Sequence, residues 1–173
     1  MFSIQPCTLP EGALLAIHQC NGSYTDCYTT EIAGSVAHAQ YVAAFYTTPV
    51  FKLERWILRW AASKPSTDLQ AQQLAAGVIH SFSAWHVERR CENQLLLCDF
   101  QGRTRSWLMV APDAAGDRSR TRLYFGSAVV ADKDAQSGRY ALGWVFRLLL
   151  RFHRIYSIVL LRAAKARLEA QLR

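Results

Sequence analysis

A histidine and a tyrosine lie one helical turn apart near the end of the chain, in a long segment with amphipathic spacing. At about 100° per residue, His153 and Tyr156 share one face with apolar residues, namely Leu142, Phe146, Leu149, Leu160 and Ala164. An imidazole can donate a hydrogen bond to a ligand carbonyl or transfer a proton near neutral pH. We therefore take His153 as the candidate catalytic residue. The alternative is a core histidine that is satisfied by a backbone carbonyl or by Tyr156.

The opposite side of this predicted helix carries a basic stripe. Residues 139–173 contain eight Lys or Arg residues and one Glu, so this segment holds the whole formal net charge of +7. The stripe consists of Arg147, Arg151, Arg154, Arg162 and Lys165. It predicts either a weak, reversible contact with an anionic membrane surface or a solvated face that keeps the helix soluble. No pattern of a specific nucleic-acid-binding module accompanies it.

Sequence motifs of common catalytic and cofactor chemistry are missing from the chain. It contains no G-x-S-x-G, H-E-x-x-H, Walker or G-x-G-x-x-G motif, so we predict no cofactor. Its five cysteines include no C-x-x-C pair, and His80 and His86 have no acidic or Cys partner at ligand spacing. We therefore predict neither a metal site nor a disulfide framework. Reduced cysteines, an N-terminus unlike a signal peptide and an apolar stretch interrupted by arginines predict a cytoplasmic protein without a transmembrane segment.

The first half of the chain predicts an irregular arm, one strand and three helices. The arm covers residues 1–22, the strand 23–32 and the first two helices 36–46 and 49–63. In the second helix we expect Leu53 and Trp60 to be buried and Arg55 to be exposed. A third helix begins after Thr67, which forms a capping-box pattern with Gln70, and ends at Gly77.

The second half predicts an antiparallel sheet followed by the long helix. Strand patterns cover residues 82–90, 91–100, 104–111 and 120–131, and the gaps between them are short enough for hairpins. Each strand alternates apolar with polar residues, which predicts one buried face and one solvated face. The terminal helix covers residues 139–172. Together these elements form a single domain, residues 1–173, with the sheet and its helices in residues 23–131.

An apolar sheet face needs a cover, and the terminal helix is long enough to provide it. We therefore predict an α+β, helix-grip fold, in which a curved antiparallel sheet wraps around the C-terminal helix and leaves a cavity between them. The predicted cavity-lining residues come from the inward strand faces and from the apolar helix face. They are Trp85, Val87, Leu108, Val110, Leu123, Phe125, Phe146, Leu149, His153 and Tyr156. The alternative for each is an ordinary core residue.

Four segments resemble a bacterial family that is catalogued as a domain of unknown function. They are Tyr24-x-Asp26-x-Tyr28, the run 44–49 before the helix that contains Trp56, the run 92–97, and Arg151-Phe152-His153-Arg154. The resemblance covers roughly residues 23–168. It implies a START-like architecture similar to polyketide cyclases and lipid-transfer domains, and the family occurs alone or after an NAD-binding, epimerase-like domain. The stretch 99–104 lacks a histidine that members of the family often carry there.

Three functions follow as expectations. The first is a binding module that encloses a small apolar or amphiphilic molecule between sheet and helix. The second is a polyketide-cyclase-like enzyme that uses His153 as acid or base in the same cavity. The third is an interaction domain for an NAD-dependent oxidoreductase, which the family's domain arrangement implies.

Overall fold

The computed structural model describes residues 3–21, 23–61, 65–112, 119–130 and 144–172, with the backbone alone for residues 20–21, 57–59, 61 and 144–153. The elements are, in chain order, β1 (Gln5–Pro6), a 3₁₀ helix (Leu14–Asn21), β2 (Tyr24–Ala33), α1 (His38–Tyr46), α2 (Pro49–Ala61), α3 (Asp68–Ala75), β3 (Ser81–Phe82), β4 (Trp85–Cys91), β5 (Gln94–Asp99), β6 (Thr104–Pro112), β7 (Arg120–Val129) and α4 (Trp144–Gln171).

The strands form one curved, seven-stranded antiparallel sheet in the order β1-β2-β7-β6-β5-β4-β3. Strand β2 pairs with β7 along its whole length, from Tyr24 opposite Val129 to Ala33 opposite Arg120. The strands from β3 to β7 follow one another as hairpins, as the short gaps predict. One predicted strand, 82–90, is divided into β3 and β4, because Ser83 has a φ of 54° and turns the chain between them. The α+β class with an antiparallel sheet and a C-terminal helix is confirmed.

One face of the sheet packs against the helices and forms the main core. Leu108, Val110 and Leu123 lie in this core, which confirms the predicted inward face of β6 and β7. Helix α1 contributes Tyr41, Phe45 and Tyr46, and α4 contributes Leu160, Leu161, Ala164 and Leu168. The terminal helix therefore covers the sheet together with α1, rather than alone.

The other face of the sheet is covered at its centre by the N-terminal segment, and the expectation of a solvated face is wrong there. Trp107, which has no exposed surface, packs against Leu14 and Leu15 of the 3₁₀ helix. The side chain of Gln94 joins the two layers, because its Oε1 accepts from the backbone of Leu14 (2.9 Å) and from the Trp107 indole (2.9 Å). Its amide group donates to the Gly12 carbonyl at 3.1 Å. The predicted irregular arm thus contains a helix that builds a second core.

Gly126 marks where this second core leaves no room for a side chain. A Cβ atom at this position would lie 2.8 Å from Leu15 Cδ2 and 2.9 Å from Trp107 Cε3. Both neighbours are fully buried and must move to admit a methyl group. We expect Gly126→Ala to lower the free energy of unfolding by about 1–3 kcal/mol, measured by urea denaturation. An unchanged denaturation midpoint would show that the 3₁₀ helix does not pack tightly on β7.

The short helices begin and end close to where the sequence predicts, but the buried face of α2 differs from the predicted one. Thr67 and Gln70 form the capping box at the start of α3, and Gly77, with a φ of 78°, follows its end. In α2, Leu53 and Trp60 are 59% and 71% exposed, whereas Arg55 is 9% exposed. The reason is that α3 and β3 provide partners for the Arg55 guanidinium group. It donates to Asp68 at 2.7 Å and lies 5.5 Å from the centre of the Phe82 ring.

Candidate functional site

A cavity of about 220 Å³ lies between the sheet and helices α1, α2 and α4. Its walls are largely apolar, and its polar side chains come from α2, α4 and the sheet. The lining residues are Phe45, Phe51, Glu54, Trp85, Thr104, Arg105, Ser106, Phe125, Ser127, Tyr156 and Leu160. An apolar cavity with a small number of convergent polar groups is the usual form of a small-molecule site. This cavity borders the sheet and α4, the C-terminal helix, as well as α1 and α2.

Glu54 of α2 places a carboxyl group in this cavity. The Tyr156 hydroxyl of α4 donates a hydrogen bond to its Oε2 atom. The Trp85 indole N–H is buried and interacts with the same carboxyl group, but does not reach the geometry of a full hydrogen bond. Burial raises the pKa of Glu54, and the interactions with Tyr156 and Trp85 oppose this rise. The cavity thus holds a carboxyl group that takes up a proton more readily than a solvated one.

The tyrosines around Glu54 keep their protons. Burial raises the pKa of Tyr156, and the nearby charge of Glu54 raises it further. Burial also raises the pKa of Tyr46, whose hydroxyl lies 3.0 Å from Ser106 Oγ at the cavity wall. Among the described side chains that line the cavity, Glu54 is therefore the carboxyl group whose pKa is raised by burial.

The predicted lining residues divide into three groups. Trp85, Phe125 and Tyr156 line the cavity, on the sheet side and on α4. Leu108, Val110 and Leu123 lie in the main core, the partly buried Val87 packs against it, and none of these four lines the cavity. The main core also contains Tyr41 and Phe45 of α1. The side chains of Phe146, Leu149 and His153 lie outside the described residues.

Glu54 is not among the site residues predicted from the sequence, because the predicted buried face of α2 is wrong. A glutamate between an apolar and a basic residue is normally solvated, and Leu53 was expected to point inward. The usable signal is Phe51, a large apolar residue three positions before Glu54 that lies at 2% exposure. Residues three apart share a helix face, so burial of Phe51 also turns Glu54 toward the sheet.

The predicted basic stripe is not a continuous exposed surface. Arg154 and Arg162 are exposed, and Arg154 Nε donates to the Tyr24 hydroxyl at 2.9 Å. Lys165, in contrast, is 7% exposed and must be removed from the stripe. Its ammonium group lies 3.3 Å from Thr30 Oγ1, because this position is on the edge of the helix face that packs against β2. The side chains of Arg147 and Arg151 lie outside the described residues.

A second concavity, between α2 and α3, is a weaker candidate site. It has a volume of about 550 Å³ and is open to solvent along its length. Its charged groups already have protein partners, since Lys52 Nζ and Arg55 Nη1 lie 2.5 Å and 2.7 Å from the two carboxylate oxygens of Asp68. Across the described ranges no three His, Cys, Asp or Glu side chains lie close enough together to hold a metal ion.

Comparison with known proteins returns no relative. No family model matches the chain, and no curated protein or solved structure matches it either. The chain is therefore defined by its own fold: an α+β protein with a curved antiparallel sheet, a C-terminal helix and a cavity between them. Over the described part of the chain, no helix has the length and apolar character that a membrane span requires.

The charge of Glu54 can be tested through the pH dependence of stability. When folding raises the pKa of a carboxyl group, that group stabilises the folded state at low pH. The stabilisation is complete below the unfolded pKa of about 4.5 and is lost as the pH rises through the folded pKa. Glu54→Gln removes the effect. We expect this variant to gain stability relative to the wild-type protein as the pH increases above 4.5, measured by urea denaturation at a series of pH values.

Tyr156→Phe is the matched variant, because it removes the hydroxyl group that stabilises the charged form of Glu54. Its stability should fall more steeply with rising pH than that of the wild-type protein. Parallel pH profiles for Glu54→Gln and the wild-type protein would contradict a buried, titrating Glu54.

Proposed function

We propose that this protein binds a small, largely apolar molecule with one or two polar atoms in the cavity between the sheet and α4. The observation that carries the proposal is the combination of apolar walls with the interacting polar groups of Glu54, Tyr156 and Trp85. A cavity in this position is also the binding site that a START-like architecture implies, and the proposal includes that architecture.

Size and wall chemistry limit the ligand class. An engineered apolar cavity of about 150 Å³ holds one benzene molecule, so a cavity of about 220 Å³ accommodates a molecule of one or two rings. The rings would contact Phe45, Phe51 and Phe125. A hydroxyl or carbonyl oxygen would accept from the buried Trp85 indole, and a hydroxyl group could also donate to Glu54.

The test uses 2-naphthol, a fluorescent two-ring molecule with one hydroxyl group. We expect saturable binding with a Kd on the order of 10–100 µM, since the burial of ten ring carbons is offset by the loss of free motion. Fluorescence titration at neutral pH gives the affinity. Thr104 lines the cavity, and Thr104→Phe adds a phenyl ring to it. This variant should lose binding, whereas Thr104→Ser, which keeps the cavity open, should retain it.

If Thr104→Phe and the wild-type protein bound 2-naphthol with equal affinity, 2-naphthol would bind outside this cavity. That result would contradict the cavity as the binding site. Circular dichroism spectra of both variants establish that the fold is kept. No binding to any of the three proteins would contradict the proposed ligand class.

A second candidate function, acid–base catalysis, has one specific observation in its favour. Glu54 combines a raised pKa with a position inside the cavity, which are the properties of a catalytic acid or base. We propose this role for Glu54 in place of His153, with Tyr156 as the group that orients its carboxyl group. The reaction class would be transfer of a proton to or from a carbon next to a ligand carbonyl.

This second candidate is tested with 2-tetralone, a two-ring ketone with acidic hydrogens beside its carbonyl group. In deuterated water, Glu54 would remove one hydrogen and return deuterium to the same carbon, and the exchange is followed by NMR. We expect exchange to be faster with the wild-type protein than with Glu54→Gln by about 10²–10⁴-fold. Exchange at the rate of buffer alone would reject the catalytic role and leave the binding proposal intact.

A further inference from the structure

Two cysteines face each other across the first pair of strands. Cys7 follows β1, and the register that pairs Gln5 with Thr29 places it directly opposite Cys27 of β2. The Cys7 amide donates to the Cys27 carbonyl at 3.0 Å, and the two Sγ atoms are 3.2 Å apart. Directly opposed residues of an antiparallel pair have Cα atoms about 4.5–5.5 Å apart, which lies within the range that a disulfide can join.

The two thiols differ in exposure and in acidity. Cys7 is partly exposed, whereas Cys27 is 5% exposed and belongs to the second core. When Cys7 is ionised, the Cys27 thiol donates a hydrogen bond to its sulfur, and this hydrogen bond lowers the pKa of Cys7. Burial raises the pKa of Cys7, and the Arg122 charge lowers it. The same contact and burial raise the pKa of Cys27. Cys7 is thus the more accessible thiol and the better nucleophile.

We propose that Cys7 and Cys27 form a peroxide-reactive pair that closes to a disulfide. The Cys7 thiolate attacks one oxygen of hydrogen peroxide, so that an S–O bond forms, the O–O bond breaks and hydroxide leaves to be protonated to water. The resulting sulfenic acid is attacked by the Cys27 sulfur. An S–S bond forms, the S–O bond breaks and a second water leaves. Two thiols are oxidised by two electrons, and one peroxide is reduced to two waters.

The disulfide would fix the N-terminal segment to the sheet. Strand β1 pairs through only two residues, Gln5 and Pro6, so few backbone hydrogen bonds hold this end of the segment. The loop between the two cysteines contains the 3₁₀ helix whose Leu14 and Leu15 cover Trp107. Closing this loop restricts the unfolded chain and opposes local opening of the second core.

The experiment treats the reduced full-length protein with equimolar hydrogen peroxide and maps the cysteines by mass spectrometry of non-reduced peptides. We expect a loss of two hydrogens per chain, a Cys7–Cys27 cross-linked peptide and a Tm that rises by about 5–10 °C. In Cys27→Ser the resolving thiol is missing, so dimedone, a sulfenic acid reagent, should label Cys7. Cys98→Ser is the matched control, because Cys98 is also buried and lies on β5, and it should form the disulfide like the wild-type protein.

Two results would overturn the proposal. One is oxidation of Cys7 to a sulfinic acid in the wild-type protein with Cys27 still reduced. The other is a disulfide that joins Cys7 or Cys27 to a different cysteine. Both are read from the wild-type protein, so they do not depend on whether a variant folds, and neither bears on binding in the cavity.

Discussion

Trp107→Ala is expected to lower the free energy of unfolding by about 3–5 kcal/mol, the range for removal of a large aromatic side chain from a core. Trp107 has no exposed surface and is the largest fully buried side chain among those that the structure describes. It lies under Leu14 and Leu15, and its ring centre is 6.2 Å from that of Tyr124. Its loss would leave a cavity between the sheet and the 3₁₀ helix, which urea denaturation would report as a lower midpoint.

Trp107→Phe separates the indole hydrogen bond from the packing. The variant keeps an aromatic ring but loses the hydrogen bond from the indole to Gln94 Oε1. This oxygen still accepts from the Leu14 amide. We expect a smaller loss of about 1–2 kcal/mol, because a satisfied acceptor keeps one of its two hydrogen bonds. If Trp107→Ala cost less than 1 kcal/mol, the N-terminal segment would not form a second core in solution.

Protonation of His38 is expected to destabilise the protein by about 3 kcal/mol between pH 6.5 and pH 4. The pKa of His38 is lowered to about 4, mainly by burial and to a lesser extent by the Arg90 charge, while the Leu108 carbonyl, 3.3 Å from Nε2, opposes the shift. A histidine with a lowered pKa stabilises the folded state above its unfolded pKa. This stability is lost as the pH falls through the folded pKa.

His38→Gln is the variant that isolates this effect, because its amide can still donate toward the Leu108 carbonyl and carries no charge. Carboxyl groups titrate in both proteins, so the measured quantity is the difference between their unfolding free energies at each pH. We expect this difference to change by about 3 kcal/mol between pH 7 and pH 4 in favour of the variant. A constant difference would show that His38 is solvated or protonated in the folded protein.

Strand positions and the inward sheet face could be predicted from the sequence because they depend on local signals. The alternation of apolar and polar residues in β6 and β7 and the short turns between strands determine which side chains share a face. Leu108, Val110 and Leu123 lie on the predicted inward face for this reason, although they do not line the cavity. The capping box of Thr67 and Gln70 is equally local, since both partners lie within one turn.

The second core and the candidate site could not be predicted because they depend on contacts between distant segments. Nothing near Trp107 in the sequence indicates that Leu14 and Leu15 cover it. Helix α2 carries apolar residues on two sides, so its spacing permits either face to be buried. Arg55 interacts with Asp68 and Phe82, and these contacts determine which face of α2 is buried. With this face buried, Glu54 lies in the cavity.

Native mass spectrometry of freshly purified protein tests the central claim, a ligand-binding cavity between the sheet and α4, most directly. The wild-type protein and Thr104→Ser are expected to retain one small molecule of one- or two-ring size per chain, which dissociates on activation in the gas phase. Thr104→Phe, whose added ring occupies the cavity, should appear at its bare chain mass. Retention of the same molecule by Thr104→Phe at the wild-type level would contradict the account.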